Sequence, residues 1–150
     1  VLPSVGPHDL AIVVSNGLSS TAVRSHAAAL LAAIRRQAAD LLLGPVVIVP
    51  EARVAIGDEI GEQLGSPMIA VILGERPGLS SADSLGIYLT WGPRAGRTDA
   101  DRNCLSNVRP DGLALPIAAA KLLWLAREAS RRRLGGVALK DEAPTARLLP

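Results

Sequence analysis

Phenylalanine is absent from these 150 residues and aromatic rings are confined to Tyr88, Trp91 and Trp124, so Ala, Leu, Val and Ile have to build the core. Small and branched side chains suit helix-on-sheet layers, and the length suits one domain that buries about two thirds of its unfolded surface. A single cysteine, Cys104, excludes an intrachain disulfide and a cysteine-cluster metal site, and fits a reducing compartment. The longest apolar runs fall well short of the roughly 18 residues that cross a bilayer, and no charged-then-apolar leader precedes a small-residue cleavage site. A soluble, intracellular protein with no membrane partner is the expectation. Charge of one sign is lacking too. The 16 Lys and Arg stand against 14 Asp and Glu, and a pI of about 9.2 in so balanced a chain gives no drive toward nucleic acid.

Familiar catalytic patterns are also missing. No Gly-x-Gly-x-x-Gly follows an early strand and no phosphate-binding loop ending in Gly-Lys-Ser/Thr occurs, which weighs against a nucleotide-dependent enzyme. The nucleophile elbow of serine hydrolases is absent. His8 and His26 stand at no spacing suited to a metal, and no metal ligand is assigned. Asp58, Glu59 and Glu62 cluster where a helix N-terminus attracts carboxylates anyway, with an acid or base role as the alternative. Cys104 has Arg102 nearby, which favours a thiolate, and reads either as a nucleophile or as a small buried thiol. No complete catalytic set emerges. A binding domain that serves chemistry located elsewhere fits better than a self-contained enzyme.

What is present is organised around residues 68–73, an unbroken run of branched and apolar residues that stops at Gly74, Glu75, Arg76, Pro77 and Gly78. Such a run reads as a strand buried on both faces, and ligands of open α/β sheets sit outside the carboxyl ends of such strands. Residues 75–79 are therefore a candidate site, the alternative being a plain strand exit with a solvated ion pair. Two more strands, 9–14 and 46–49, precede it. The first ends in a turn that Ser19 or Ser20 caps, followed by a helix of about six turns with Val23, Ala27, Leu30, Leu31, Ile34, Ala38 and Leu41 on one face. A short helix around 58–65 follows the second. Two βαβ units result, and the expected fold is a doubly wound, mostly parallel α/β sheet flanked by helices.

Further on, 87–91 reads as a fourth strand and 92–112 as a long functional loop with four arginines and a short helix near 98–102. Residues 113–133 form a helix with Pro116 in its first turn. Arg131, Arg132 and Arg133 offset its negative end, and Gly135 and Gly136 terminate it. A last strand is expected at 137–139. The domain divides as a linker remnant at 1–7, one α/β domain at 8–141 and a loose tail at 142–150, and the start at Val1 suggests a fragment or processed form.

Asn16-Gly17-Leu18-Ser19, Arg53-Val54 with 58–62, residues 74–79, Asp83-Ser84-Leu85, Arg102-Asn103-Cys104 with Ser106-Asn107, and 136–140 occur in one order and spacing. Together they resemble the small subunit of ethanolamine ammonia-lyase, over almost the whole chain. The resemblance implies a Rossmann-like small subunit of an adenosylcobalamin-dependent carbon–nitrogen lyase that turns ethanolamine into acetaldehyde and ammonia by a radical route. It implies a hetero-oligomer with a TIM-barrel large subunit, which holds the substrate, and a bacterial cytoplasmic setting within a microcompartment. Family cobalamin contacts fall on Val54 through its main chain, on Glu75 through its carbonyl oxygen and on Cys104, and 92–112 is the implied subunit contact. Asn16 departs from the Asp common in the family. The family's extra N-terminal segment, linked to microcompartment packaging, is expected to lie outside this chain. A free-standing Rossmann-type small-molecule binding or scaffolding domain is the alternative, and a cysteine-dependent enzyme using Cys104 a third reading.

Overall fold

The computed structural model describes Leu2, residues 5–75 and residues 83–140. Residues 76–79 of the candidate site, and the expected tail, lie outside the described residues. Five strands form one sheet in the order β2-β1-β3-β4-β5, and three helices cover it.

β1 (Leu10–Ser15) and β3 (Met68–Gly74) are buried along their whole length, as their unbroken apolar runs demand. β2 (Leu43–Val49) lies at the edge, where Pro45 is tolerated beside a register shift opposite Leu10 and Ile12. β1 runs parallel to both β2 and β3. α1 (Ser20–Gln37) starts where the Ser19 hydroxyl oxygen accepts the Ala22 N–H at 3.2 Å, and it ends a turn earlier than its apolar stripe suggested. α2 (Ile56–Leu64) closes on Gly65 in the left-handed region, φ 65°, whose N–H reaches the Glu62 carbonyl.

Past β3 the expected fold fails. β4 (Leu85–Trp91) runs antiparallel to β3, and β5 (Arg102–Val108) antiparallel to β4, so the sheet is mixed rather than Rossmann-like, doubly wound and mostly parallel. The connection from β3 to β4, residues 75–84, is shorter than the dozen or so residues that a parallel crossover needs. The long loop expected at 92–112 contains β5 and a short 3₁₀ turn, Asp99–Asp101, instead. The strand expected at 137–139 is a second 3₁₀ turn, Gly136–Ala138, held by Asn103, whose amide donates to the Gly136 and Leu139 carbonyls and whose oxygen accepts the Gly136 N–H. α3 (Leu115–Arg132) ends at Arg133, left-handed at φ 57°, before the glycines that were expected to stop it.

The core has two parts. α1 and α3 share one face of the sheet, where Leu30, Ile34, Leu122 and Leu125 meet Ile12, Ile72, Ile87 and Leu89. On the other face α2 brings Ile60 and Leu64 against Ala11, Val13, Ile69 and Val71. Among the described residues no helix is long and apolar enough to cross a membrane.

Candidate functional site

The carboxyl ends of β1, β2 and β3 open into a cleft of about 680 Å³. Its floor is the turn after β1, drawn onto the end of β3 by the Leu18 N–H, which donates to the Gly74 carbonyl at 2.9 Å. Gly17 takes φ 54° there, and a Cβ on it would run into that carbonyl, while one on Gly74 would run into the Asn16 and Ser19 carbonyls. The Asn16 N–H donates to the Pro50 carbonyl, tying the same turn to the end of β2. One wall is the segment 51–55 that leads into α2, with Val54 in it; the Val54 carbonyl accepts the Gly57 N–H at 3.0 Å and keeps its second lone pair. Glu75, Tyr88 and Arg102 complete the lining.

Arg102 is the most tightly held of these. Its side chain and that of Asp58 are each 6% exposed, and the guanidinium grips the carboxylate with two bonds, Nη1 to Oδ1 at 2.8 Å and Nη2 to Oδ2 at 2.9 Å. Nη1 also donates to the Thr90 hydroxyl at 3.1 Å. The Asp58 bonds outweigh burial and raise the Arg102 pKa further above its usual range. This pair straps the edge strand β5 to the first turn of α2. It also resolves the acidic cluster, because Asp58 is paired whereas Glu59 and Glu62 are exposed on the outer side of α2. Arg102 Nε is buried without a hydrogen-bond partner, with the exposed Asp99 carboxylate 3.7 Å away.

Cys104 is exposed, so the small-buried-thiol reading fails. It stands opposite Tyr88 in the β4–β5 ladder, with its Sγ 3.5 Å from the Ser106 hydroxyl. Neither histidine serves it as a base. His8 is taken up by the Ser66 hydroxyl at 2.6 Å and the Gly6 carbonyl, and His26 Nε2 by Asp83 Oδ2 at 2.9 Å. Asp83 also meets Arg109 at 3.3 Å, and the His26 bond, seconded by Arg109, holds its carboxyl below the usual range. The structure thus puts Val54 and Glu75 on the cleft and Cys104 beside Tyr88, which lines it. Tyr88 and the Gly17–Gly74 floor are not among the expected site residues, and Asp58, expected as a helix-start carboxylate or an acid or base, serves as the partner of Arg102. The alternation of Leu85, Ile87 and Leu89 with Gly86, Tyr88 and Thr90 is the signal that marks Tyr88 as facing away from the helix-covered core.

The model of the ethanolamine ammonia-lyase light chain family matches residues 3–140. Proteins described as ethanolamine ammonia-lyase small subunit are similar at 59% identity in Azotobacter vinelandii, over 95% of this chain and 54% of that one. In Pseudomonas aeruginosa the identity is 56%, over 92% of this chain and 51% of the relative, and in Ralstonia nicotianae 53%, over 92% and 52%. The chain spans about half the length of these curated relatives. A lipoprotein of Neisseria meningitidis shares only a loose outline, at a TM-score of 0.35 and 9% identity over 85% of this chain and 96% of that one. With a family model matched across nearly its whole described length, this chain belongs to the ethanolamine ammonia-lyase light chain family.

Proposed function

We propose that this chain is the cofactor-holding part of the small subunit of an adenosylcobalamin-dependent ethanolamine ammonia-lyase, which converts ethanolamine to acetaldehyde and ammonia. The observation that carries the reading is the cleft itself, which Val54 and Glu75 both line, with Cys104 paired across the ladder to the lining residue Tyr88. Its lining fits a corrin, whose rim carries neutral amides. Main-chain groups of 51–55 and a buried Arg102 Nε with no hydrogen-bond partner supply acceptors and a donor, while Leu18, Val54 and Leu73 supply apolar surface.

When bound, adenosylcobalamin supplies the radical chemistry; this chain's residues bind, orient and exclude water. Val54 would hold the cofactor through its main chain and Glu75 through its carbonyl oxygen, with Cys104 as a third contact. An open cleft of this size covers only one side of so large a cofactor, so a second surface has to close over it. That surface belongs to a TIM-barrel large subunit in a hetero-oligomer, which also holds the substrate. The setting is the bacterial cytoplasm, inside a microcompartment.

The test is a pull-down of the tagged full-length chain from its source cells grown on ethanolamine with cobalamin. A large subunit, corrinoid absorption and ethanolamine-dependent ammonia release appearing together support the reading. A chain that elutes alone and colourless, and takes up no added cobalamin with its large subunit, overturns it.

A further inference from the structure

On β4, Leu85, Ile87 and Leu89 turn toward the face that α1 and α3 cover, and Gly86 and Tyr88 toward the other. Gly86 is buried, and a Cβ there would fall on the Glu75 carboxylate and press on the Tyr88 ring. The missing side chain at 86 is the space that the carboxylate occupies. Glu75 is fixed in it by the Tyr88 hydroxyl, which donates to Oε1 at 2.5 Å, the length of a charge-assisted bond. Tyr88 pairs across the ladder with Cys104 and lines the cleft. Two of the three residues assigned to the cofactor therefore adjoin one side chain.

We propose that Tyr88 is a positioning residue of the cofactor cleft, which draws the Glu75 carboxylate onto Gly86 and away from the ligand and so leaves the Glu75 main chain as the group that faces the cleft. The inference rests on the cobalamin reading above and extends it. Glu75 lines the cleft, so a carboxylate released from Tyr88 can turn into it, and there its charge has to be desolvated when a neutral ligand binds. Burial first, then the Glu75 bond and the nearby Cys104 thiol, push the Tyr88 hydroxyl well above the usual phenol range, so it stays a donor wherever the protein is folded.

Tyr88→Phe keeps the ring and removes only the donor. In the complex of full-length small subunit with large subunit, titrated with adenosylcobalamin and followed by its visible spectrum, Tyr88→Phe is expected to weaken cofactor affinity by about tenfold. The KM for ethanolamine should stay as in the wild type. The same substitution made in a Glu75→Ala background should cost nothing further, because the carboxylate it sets free is gone. Equal losses in both backgrounds, or no loss in the first, overturn the inference while leaving the cofactor reading intact. A wild-type complex that takes up no cobalamin overturns both.

Discussion

One face of the sheet is covered by two helices of 18 residues each, α1 packing on β1, β3 and β4 and α3 on β4 and β5, whereas the other carries only the nine-residue α2. On the first face every strand contributes apolar side chains, and the largest of them are fully buried. On the second, the fully buried apolar residues end at β3, with the Tyr88 ring of β4 packed against them, and beyond it the sheet is finished with polar groups: Glu75 over Gly86, Arg102 on Asp58 and Thr90, Cys104 and Ser106 in the open. The cleft lies where the short helix begins. A face packed without gaps leaves no room for a ligand, and a face left short of helix needs charged pairs to close it. The first face holds the fold together, and the second carries the site.

The contrast is testable first at its most costly point. Arg102→Ala leaves Asp58 buried and unpaired at the border of α2 and β5, and we expect a loss of about 3–5 kcal/mol in urea denaturation. Replacing the pair together, Asp58→Leu with Arg102→Met, should recover most of that loss, because two apolar groups need no desolvation offset. If the double replacement is as damaging as the single one, the strap does more than neutralise itself. On the covered face Leu122→Ala removes a fully buried side chain and should cost about 2–5 kcal/mol in the same assay, with no effect on the cleft.

The two faces were unequally legible. Unbroken runs at 10–14 and 68–73 reveal β1 and β3 because strands buried on both sides have no alternation to hide. The carboxyl-end crevice follows from them and brings Glu75 with it, and Cys104 stands out as the single thiol, whereas Val54 and the cobalamin roles of all three come only through the family resemblance. β5 was read as loop because only Leu105 and Val108 of its seven residues are buried, and an edge strand under a polar face shows neither period. Its direction, and that of β4, depended on how far a connection can reach, a length argument that hydrophobic pattern does not contain. The Asp58–Arg102 pair lies 44 positions apart, so its partners meet only once the antiparallel half is in place.

A smaller effect separates the faces by pH. Asp83, joined to His26 of α1 and to Arg109 just past β5, has a folded pKa below the ordinary value of about 3.9. A depressed carboxylate contributes stability that is present above its unfolded pKa and lost as pH falls through the folded one. His26→Ala removes the largest cause of that depression, so the acid limb of the stability curve, measured by circular dichroism between pH 5 and about 2, should move upward toward the ordinary value. An unchanged limb assigns the shift to Arg109 alone.

The smallest effect on stability is expected at Cys104, and there the two faces part most clearly. Its side chain is exposed on an edge strand and its contact with Ser106 is long, so Cys104→Ala should lie within about 0.5 kcal/mol of the wild type. A nucleophile would be lost outright by the same change, whereas a residue that only touches a cofactor weakens its retention and leaves turnover at saturating cobalamin. Measuring ammonia release against cobalamin concentration distinguishes the two. A rightward shift at constant maximum fits a contact on the open face. A collapse of the maximum would instead make Cys104 part of the chemistry, and the absence of a histidine beside it would then demand a proton acceptor from across the subunit boundary.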